Sequence, residues 1–144
     1  EIELARLQRS SGQSAAILMF DLDYFKTIND RWGHNVGDQA LRHFATILSA
    51  QLRKSDTAGR LGGEEFAVVL SETDQQQATH FATRIQSELA RTPILHAGEQ
   101  IFLAVSVGIS SLTANDSNVE AALSRSDIAL YCAKRGGRNR IEYH

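Results

Sequence analysis

The stretch Thr57-Ala-Gly-Arg-Leu-Gly-Gly-Glu-Glu-Phe-Ala-Val-Val-Leu70 decides the fold, because it predicts a β-hairpin. Two segments that suit β-strands flank Gly62 and Gly63, which favour a tight turn with positive φ. Glu64 and Glu65 follow at once, so the tip of the hairpin is acidic. Charges at a hairpin tip often serve solubility alone. The hairpin by itself therefore leaves open whether its glutamates form part of a ligand site.

A second acidic position lies upstream of the hairpin. The apolar run at residues 15–20 predicts a fully buried strand, and it ends abruptly at Asp21 and Asp23. A carboxylate leaving the core is costly unless it is solvated or paired. Asp23 could simply cap a helix that begins near residue 24. If the two β segments are neighbours in one sheet, Asp21 could instead converge with the glutamates of the turn, which would suit Mg²⁺.

The remaining pattern completes a single α+β domain in the order β-α-α-β-β-α-β-α-β. Before the hairpin, whose strands we place at 57–61 and 65–70, it predicts a helix at 24–32, broken at Gly33 and near Gly37, and an amphipathic helix at 41–52. After the hairpin it predicts a helix from a Thr73–Gln76 capping box to Pro93, a strand at 101–109, a helix from Ser117 and Glu120 to Gly136-Gly137, and a strand at 140–143.

Composition narrows the class of protein. The chain has 144 residues with 42% hydrophobic and 22% charged, which fits one globular domain. A net charge of −2 argues against a general binder of nucleic acid or anionic membranes. The apolar run at 15–20 is far too short to cross a membrane. Cys132 is the only cysteine, so no internal disulfide can form, which suits a reducing cytosol.

Cationic and polar residues suggest a nucleotide. Lys134 and Arg138 flank the Gly136-Gly137 stop and could hold one anion, although cations at a helix end also simply favour its dipole. Backbone N–H groups of residues 22–25, with Lys26 nearby, could form a second anion site. Asn29 and Asp38 together match the donor and acceptor edge of guanine, or each is a turn residue beside a glycine.

Five ordered blocks carry a family resemblance. They are Phe20-Asp-Leu-Asp-Tyr-Phe-Lys-Thr-Ile-Asn29, Trp32-Gly-His-Asn-Val-Gly-Asp38, Gly62-Gly-Glu-Glu-Phe66, Val105-Ser-Val-Gly-Ile109, and Ala129-Leu-Tyr-Cys-Ala-Lys134 through Asn139. They resemble the GGDEF domain family, the diguanylate cyclases, from about residue 15 to the C-terminus. The resemblance implies a palm-like fold, related to adenylyl cyclases and of ferredoxin-like type, with a central antiparallel sheet flanked by helices.

The resemblance also implies an activity and its residues. Two GTP molecules would condense to cyclic di-GMP and two pyrophosphates, with two Mg²⁺ or Mn²⁺ ions per site and a transient homodimer. The implied metal ligands are Asp21, the carbonyl of Leu22, Glu64 and Glu65, and the implied catalytic residues are Glu64, which activates the 3′-hydroxyl, and Glu65. The implied substrate contacts are Asn29 and Asp38 to guanine, and Lys26, Lys134, Arg138 and the Tyr24 and Phe25 amides to phosphate.

A product site is implied as well. Arg53-Lys-Ser-Asp56 matches the family's RxxD inhibitory site in its position before the Gly-Gly turn, and Arg84 matches a further arginine of that site. Guanidinium groups and a carboxylate suit the phosphates and guanines of cyclic di-GMP. The alternative is an ordinary Arg–Asp salt bridge near a helix end, which contributes little stability.

The expected boundaries follow from the same resemblance. Residues 1–14 would be the end of a linker helix and a turn, and residues 15–144 the catalytic domain. The family's DxLTxLxNR stretch would lie upstream of Glu1. Altered activity is expected without that stretch. An N-terminal sensory or receiver domain and a cytoplasmic location, even within a membrane-anchored protein, are also expected. The alternatives are a weakly catalytic module that binds GTP or cyclic di-GMP, and a different nucleotide chemistry.

Overall fold

The computed structural model describes residues 14–113, 116 and 118–144, so nearly all of the expected linker helix at 1–14 lies outside the described residues. The elements run β1 (Ala15–Leu22), α1 (Phe25–Trp32), α2 (His34–Gln51), β2 (Thr57–Gly62), β3 (Glu65–Ser71), α3 (Gln75–Arg91), β4 (Ile94–His96), β5 (Glu99–Ile101), β6 (Val105–Leu112), α4 (Val119–Arg135) and β7 (Ile141–Tyr143). No helix among the described residues combines the length and apolar character that crossing a membrane requires.

One mixed sheet organises the described part of the chain. Its strand order is β2-β3-β1-β6-β7, with β1 antiparallel to both of its neighbours. All eight residues of β1 are buried because the strand is central and covered on both faces, which explains its continuous apolar sequence. The antiparallel pairing expected of the central sheet holds between β2, β3, β1 and β6, and one edge differs. There β7 pairs parallel with β6, because α4 crosses over between them and returns the chain in the same direction.

The predicted element order lacks one hairpin. The strand expected over 101–109 is divided: β5 pairs antiparallel with β4 in a separate two-stranded sheet, and β6 begins only at Val105. Ala97 and Gly98 between β4 and β5 have φ of 50° and 80°, the left-handed conformation that two-residue hairpin turns use. An alanine in the first of these positions gives no turn signal, so this short hairpin escaped sequence-based prediction.

Helix boundaries differ from the predictions by small shifts. The capping box of α3 is formed by Asp74 and Gln77, because each side chain bonds the other's backbone N–H, and not by Thr73 and Gln76. Asn118 caps α4 by accepting from the N–H of Ala121, while Ser117 lies outside the described residues. The expected break near Gly37 is absent from the described chain, since α2 starts at His34 and continues through it.

The two faces of β1 pack against different helices, and this determines where Asp21 lies. Even-numbered residues such as Leu18 and Phe20 join the main core with α2 and α3, whereas Ile17 and Met19 pack with residues of α4. Because side chains alternate along a strand, Asp21 falls on the α4 face. Gly108 of β6 allows α4 to approach closely, since a Cβ there would lie 2.2 Å from backbone atoms of that helix.

Candidate active site

The end of β1 meets the acidic hairpin inside the sheet. Asp21 and Glu65 are directly opposite one another in the β1–β3 pair. The backbone N–H of Leu22 donates to the carbonyl oxygen of Glu64 at 3.3 Å. Directly opposite residues of an antiparallel pair share a face of the sheet. The structure therefore brings Asp21 and Glu65 together on the α4 face, as expected if the two β segments are neighbours.

The hairpin tip is held in the conformation that its glycines permit. Gly62 and Gly63 have φ of 157° and 51°. The Arg60 side-chain Nε donates to the carbonyl oxygen of Gly63 at 2.8 Å, which ties the tip back to β2. A Cβ at Gly63 would meet no described atom within 4 Å, so the tip is open to a ligand. Here glycine is needed for the backbone conformation and not for close packing.

Burial and like charge disfavour ionisation of the carboxyl groups at this junction. Asp21 is 5% exposed, and burial raises its pKa above the ordinary value, with Glu64 adding to the rise. Lys134 opposes the rise, since its Nζ donates to Asp21 Oδ2 at 2.5 Å. Burial also raises the pKa of Glu65, and the charge of Asp21 raises it further. Burial is therefore the main cause of both shifts, and a bound cation would oppose it by favouring the charged carboxylates.

A cavity of about 270 Å³ opens beside these groups. It is lined by residues 21–27, Glu64, Lys134 and Arg138, so an acidic edge and a cationic edge face one space. Glu64 lines the cavity, whereas Glu65 lies outside its lining and interacts electrostatically with Asp127 of α4. The two glutamates of the turn thus face different surroundings, a distinction that the sequence does not show.

The segment that begins α1 forms one wall of the cavity. Tyr24, the residue before the helix, has a left-handed φ of 57°. Among the described residues no side chain caps this end of α1, so the first N–H groups of the helix lack a side-chain acceptor. The Arg138 guanidinium lies 5.1 Å above the Tyr24 ring. This contact brings a cation and the helix N-terminus to the same cavity.

Asp23 has a structural role that sequence reasoning missed. Its carboxylate accepts from the Ser106 hydroxyl at 2.6 Å and from the Asn139 backbone N–H at 2.9 Å. It makes no cap to α1, so the capping alternative is wrong. Arg138 and Asn139 have φ of 65° and 46°, and Asp23 holds this unusual turn in place. Its partners are 83 and 116 residues away in sequence, so no local pattern could have found them.

Asn29 and Asp38 lie near the junction of α1 and α2 and are not among the residues that line the cavity. The side chain of Asn29 packs against Gly37, the residue that precedes Asp38. Asn29 Oδ1 is buried and has no hydrogen-bond partner within the described part of the chain. Asp38 is exposed. The structure therefore places Asn29 against α2, the helix that carries Asp38, and outside the lining of the cavity at Asp21.

The three residues of the expected product site share a second cavity. Arg53, Asp56 and Arg84 line a space of about 220 Å³. Arg53 donates to both carboxylate oxygens of Asp56, at 3.1 and 2.9 Å, so the salt-bridge alternative also describes a contact that exists. Arg53 further donates to the Ser71 carbonyl at 2.7 Å. These bonds leave the Arg53 side chain 56% exposed and able to accept an anion.

The acidic cluster is small. No three His, Cys, Asp or Glu side chains within residues 14–113, 116 and 118–144 lie close enough together to hold a metal by themselves. Mg²⁺ commonly takes one or two carboxylates and completes its shell with water and phosphate oxygens. Asp21, Leu22 and Glu64 line one cavity, and two carboxylates beside a stretch of backbone fit that mode of binding.

These features define a palm-like α+β domain with an acidic and cationic cavity at the end of its central strand. A sequence model of the family described as "Diguanylate cyclase, GGDEF domain" matches residues 1–140. The chain therefore belongs to this family, and the predicted family membership is confirmed.

Named relatives agree with this assignment. Diguanylate cyclase A of Treponema denticola is 40% identical over 135 residues, which cover 92% of this chain and 36% of that protein. The chain thus spans about a third of that curated relative. The GGDEF domain of DgcB from Caulobacter crescentus, solved with c-di-GMP, superposes with a TM-score of 0.91 at 28% identity, covering 96% of this chain and 84% of that one.

A second solved structure is closer in sequence. The active GGEEF domain of a diguanylate cyclase from Vibrio cholerae is 37% identical, with a TM-score of 0.87 and coverage of 97% of this chain and 90% of that one. Together these superpositions confirm the predicted α+β palm-like fold class.

Proposed function

We propose that this chain is the catalytic domain of a diguanylate cyclase, which joins two GTP molecules into cyclic di-GMP and releases two pyrophosphates. The observation that carries the proposal is one cavity lined by the carboxylates of Asp21 and Glu64 together with the cations Lys134, which pairs with Asp21, and Arg138. Condensing a nucleotide requires acidic groups for metal and hydroxyl activation beside cations for phosphate.

The acidic edge would hold the metal. Asp21, the Leu22 carbonyl, Glu64 and Glu65 would bind two Mg²⁺ ions, or Mn²⁺, which when bound stabilise negative charge on the phosphates. Glu64 lines the cavity, which supports assigning it the role of accepting the proton of the attacking 3′-hydroxyl. Glu65 lies opposite Asp21 on the α4 face of the sheet and would contribute to metal binding from that face.

The cationic edge would orient the phosphates. Lys134, Arg138 and Lys26 lie around the cavity with the backbone of Tyr24 and Phe25. Lys134 pairs with Asp21, so phosphate oxygens bound by Lys134 would lie beside the proposed metal ligand. The ring of Tyr24 beneath Arg138 limits where that guanidinium can move. Positioning of this kind accounts for much of the catalysis of phosphoryl transfer.

Asn29 and Asp38 would recognise guanine. The Oδ1 of Asn29 is buried against Gly37, so the amide NH₂ would be the group that meets a base edge. Asp38 beside it is exposed and could accept from two adjacent N–H groups. Each domain offers one such pair, so two domains related by a two-fold axis would hold the two GTP molecules.

The test of this function is product formation from GTP and Mg²⁺, followed by chromatography. We expect cyclic di-GMP from GTP and none from ATP alone. The rate per protomer should rise with protein concentration, because two domains must meet. Binding of GTP without any dinucleotide product, even at high protein concentration, would contradict the proposal. It would favour a weakly catalytic receptor for GTP or cyclic di-GMP, a second candidate that the preformed cavity at Arg53, Asp56 and Arg84 supports.

Product inhibition would act through that second cavity. We expect Arg53→Ala to raise the cyclic di-GMP concentration that halves activity by at least about tenfold, since a charge-assisted hydrogen bond contributes about 1.5–3 kcal/mol. Arg91→Ala is the matched control, because it removes an exposed arginine that does not line this cavity. Equal inhibition of wild type and Arg53→Ala would disprove the role. Melting temperatures should be compared, since Arg53 also pairs with the buried Asp56.

Residues 15–144 would form the catalytic domain, preceded by the end of a linker helix. We propose a cytoplasmic location, where GTP is available, and regulation by an N-terminal sensory or receiver domain. Neither nucleic acid nor a membrane segment enters the proposed role of this chain.

A further inference from the structure

At Gly37 of α2, a side chain of α1 lies against the backbone of α2, next to the proposed base-recognition residue Asp38. A Cβ on Gly37 would lie 1.8 Å from Asn29 Oδ1 and 2.9 Å from Asn29 Cγ. Real atoms do not approach so closely, so the Asn29 amide occupies the space that any other residue at position 37 would fill. The next nearest atom, Phe25 Cζ, would be 3.4 Å away, so the conflict is mainly with Asn29.

Helix propensity argues that this glycine is present for a reason. Gly37 lies inside α2, where glycine is less stable than alanine because it loses more backbone freedom on folding. Its φ does not lie in the left-handed region that would require glycine. Backbone conformation therefore does not explain Gly37, whereas the contact with Asn29 does.

Asn29 depends on this contact for its position. None of the eight described residues of α1 is fully buried, so its packing against α2 largely decides where its side chains lie. Asn29 Oδ1 is buried and makes no hydrogen bond within the described chain. Asp38 follows Gly37 directly on α2. A side chain at position 37 would therefore shift the Asn29 amide relative to α2, the helix that carries Asp38.

We infer that Gly37 is a positioning residue for base selectivity: its missing side chain seats the Asn29 amide beside Asp38 at the spacing that guanine requires. This inference rests on the proposed function, in which Asn29 and Asp38 recognise the base. Gly37 touches no substrate and acts only through Asn29. A side chain at 37 displaces Asn29 and weakens the preference for GTP over ATP.

A double-mutant cycle tests the inference with wild type, Gly37→Ala, Asn29→Ala and the double variant. For each protein we would measure the melting temperature and the binding of non-hydrolysable GTP and ATP analogues. We expect Gly37→Ala to weaken binding of the GTP analogue about tenfold, as loss of one good hydrogen bond would, with little change for the ATP analogue. In the Asn29→Ala background the same substitution should have no further effect on binding.

Stability distinguishes failure of this inference from failure of the proposed function. Gly37→Ala should lower the melting temperature when Asn29 is present and raise it when residue 29 is alanine, where helix propensity alone acts. If Gly37→Ala does not fold, the double variant still has to fold and bind like Asn29→Ala. Unchanged GTP binding by Gly37→Ala, or an equal loss in both backgrounds, overturns the inference. A wild type that binds no GTP overturns the proposed function and this inference with it.

Discussion

Replacing Asp21 with asparagine is expected to lower cyclic di-GMP synthesis at least about a thousandfold and to raise the melting temperature of the metal-free protein. A metal supplies several kcal/mol of transition-state stabilisation, and about 4 kcal/mol corresponds to a thousandfold in rate. Asparagine keeps the shape of the side chain but cannot ionise. It therefore removes the buried carboxyl group, whose pKa is raised by burial. Activity assays and thermal unfolding would measure the two effects.

The gain in stability should depend on pH in a definite direction. The folded-state pKa of Asp21 is raised, so its carboxyl group binds protons more readily in the folded than in the unfolded protein. The contribution of this carboxyl group to the free energy of unfolding is therefore fully present when the pH is below its ordinary pKa. That contribution is lost as the pH rises through the raised folded-state pKa. The difference in melting temperature between Asp21→Asn and wild type should be largest near neutral pH and should shrink in acid.

Two glutamine variants provide matched controls for the acidic edge. Glu64→Gln should reduce synthesis more than Glu65→Gln, because Glu64 lines the cavity and Glu65 does not. Both substitutions are isosteric and change charge alone.

Synthesis by Asp21→Asn within tenfold of wild type would exclude Asp21 from the metal site. A fall in its melting temperature at neutral pH would show instead that the pair with Lys134 outweighs burial of the charge.

Asp23→Ala is expected to lower the free energy of unfolding by about 2–4 kcal/mol, which corresponds to about 5–15 °C in melting temperature. The Ser106 hydroxyl is 0% exposed and would lose its acceptor, and the Asn139 N–H would lose a charged one. The freed turn carries Arg138, so the KM for GTP should rise at least about tenfold, more than kcat falls. Denaturant titration and steady-state kinetics would measure these effects.

Partial substitutions separate the two bonds of Asp23. Ser106→Ala removes the hydroxyl bond but leaves the bond to Asn139, so it should lower stability with little effect on the KM for GTP. Asp23→Asn keeps one carbonyl oxygen as acceptor and should fall between wild type and Asp23→Ala. If Ser106→Ala and Asp23→Ala raise KM equally, Asp23 does not act through the turn at 138–139.

Much of the fold follows from local patterns in the sequence. The hairpin around Gly62 and Gly63, the buried strand before Asp21 and the amphipathic helices each carry their own periodicity, so their existence and order could be predicted. The β4–β5 hairpin could not, because its strands have three residues each and one of its turn residues is alanine. The parallel pairing of β7 depends on a crossover and has no local signal.

The candidate site, too, could be predicted from the sequence only in part. The nearness of Asp21 to the acidic turn depends on strand pairing, which the apolar pattern suggests but does not determine. The pairing of Lys134 with Asp21 spans 113 residues, and the bonds of Asp23 depend on a turn with unusual backbone angles. Packing also gives Glu64 and Glu65 different surroundings, although the two are adjacent residues of the same type.

The contrast between β1 and α1 has a consequence for local unfolding. β1 is buried along its whole length and should open only when the domain unfolds, whereas α1 has no fully buried residue and should open at lower free energy. The proposed GTP site joins these two elements, with Asp21 on β1 and Asn29 on α1. The conformational entropy lost on nucleotide binding would therefore come mainly from the ordering of α1. Binding would also give that helix the protection from hydrogen exchange that its own packing does not supply.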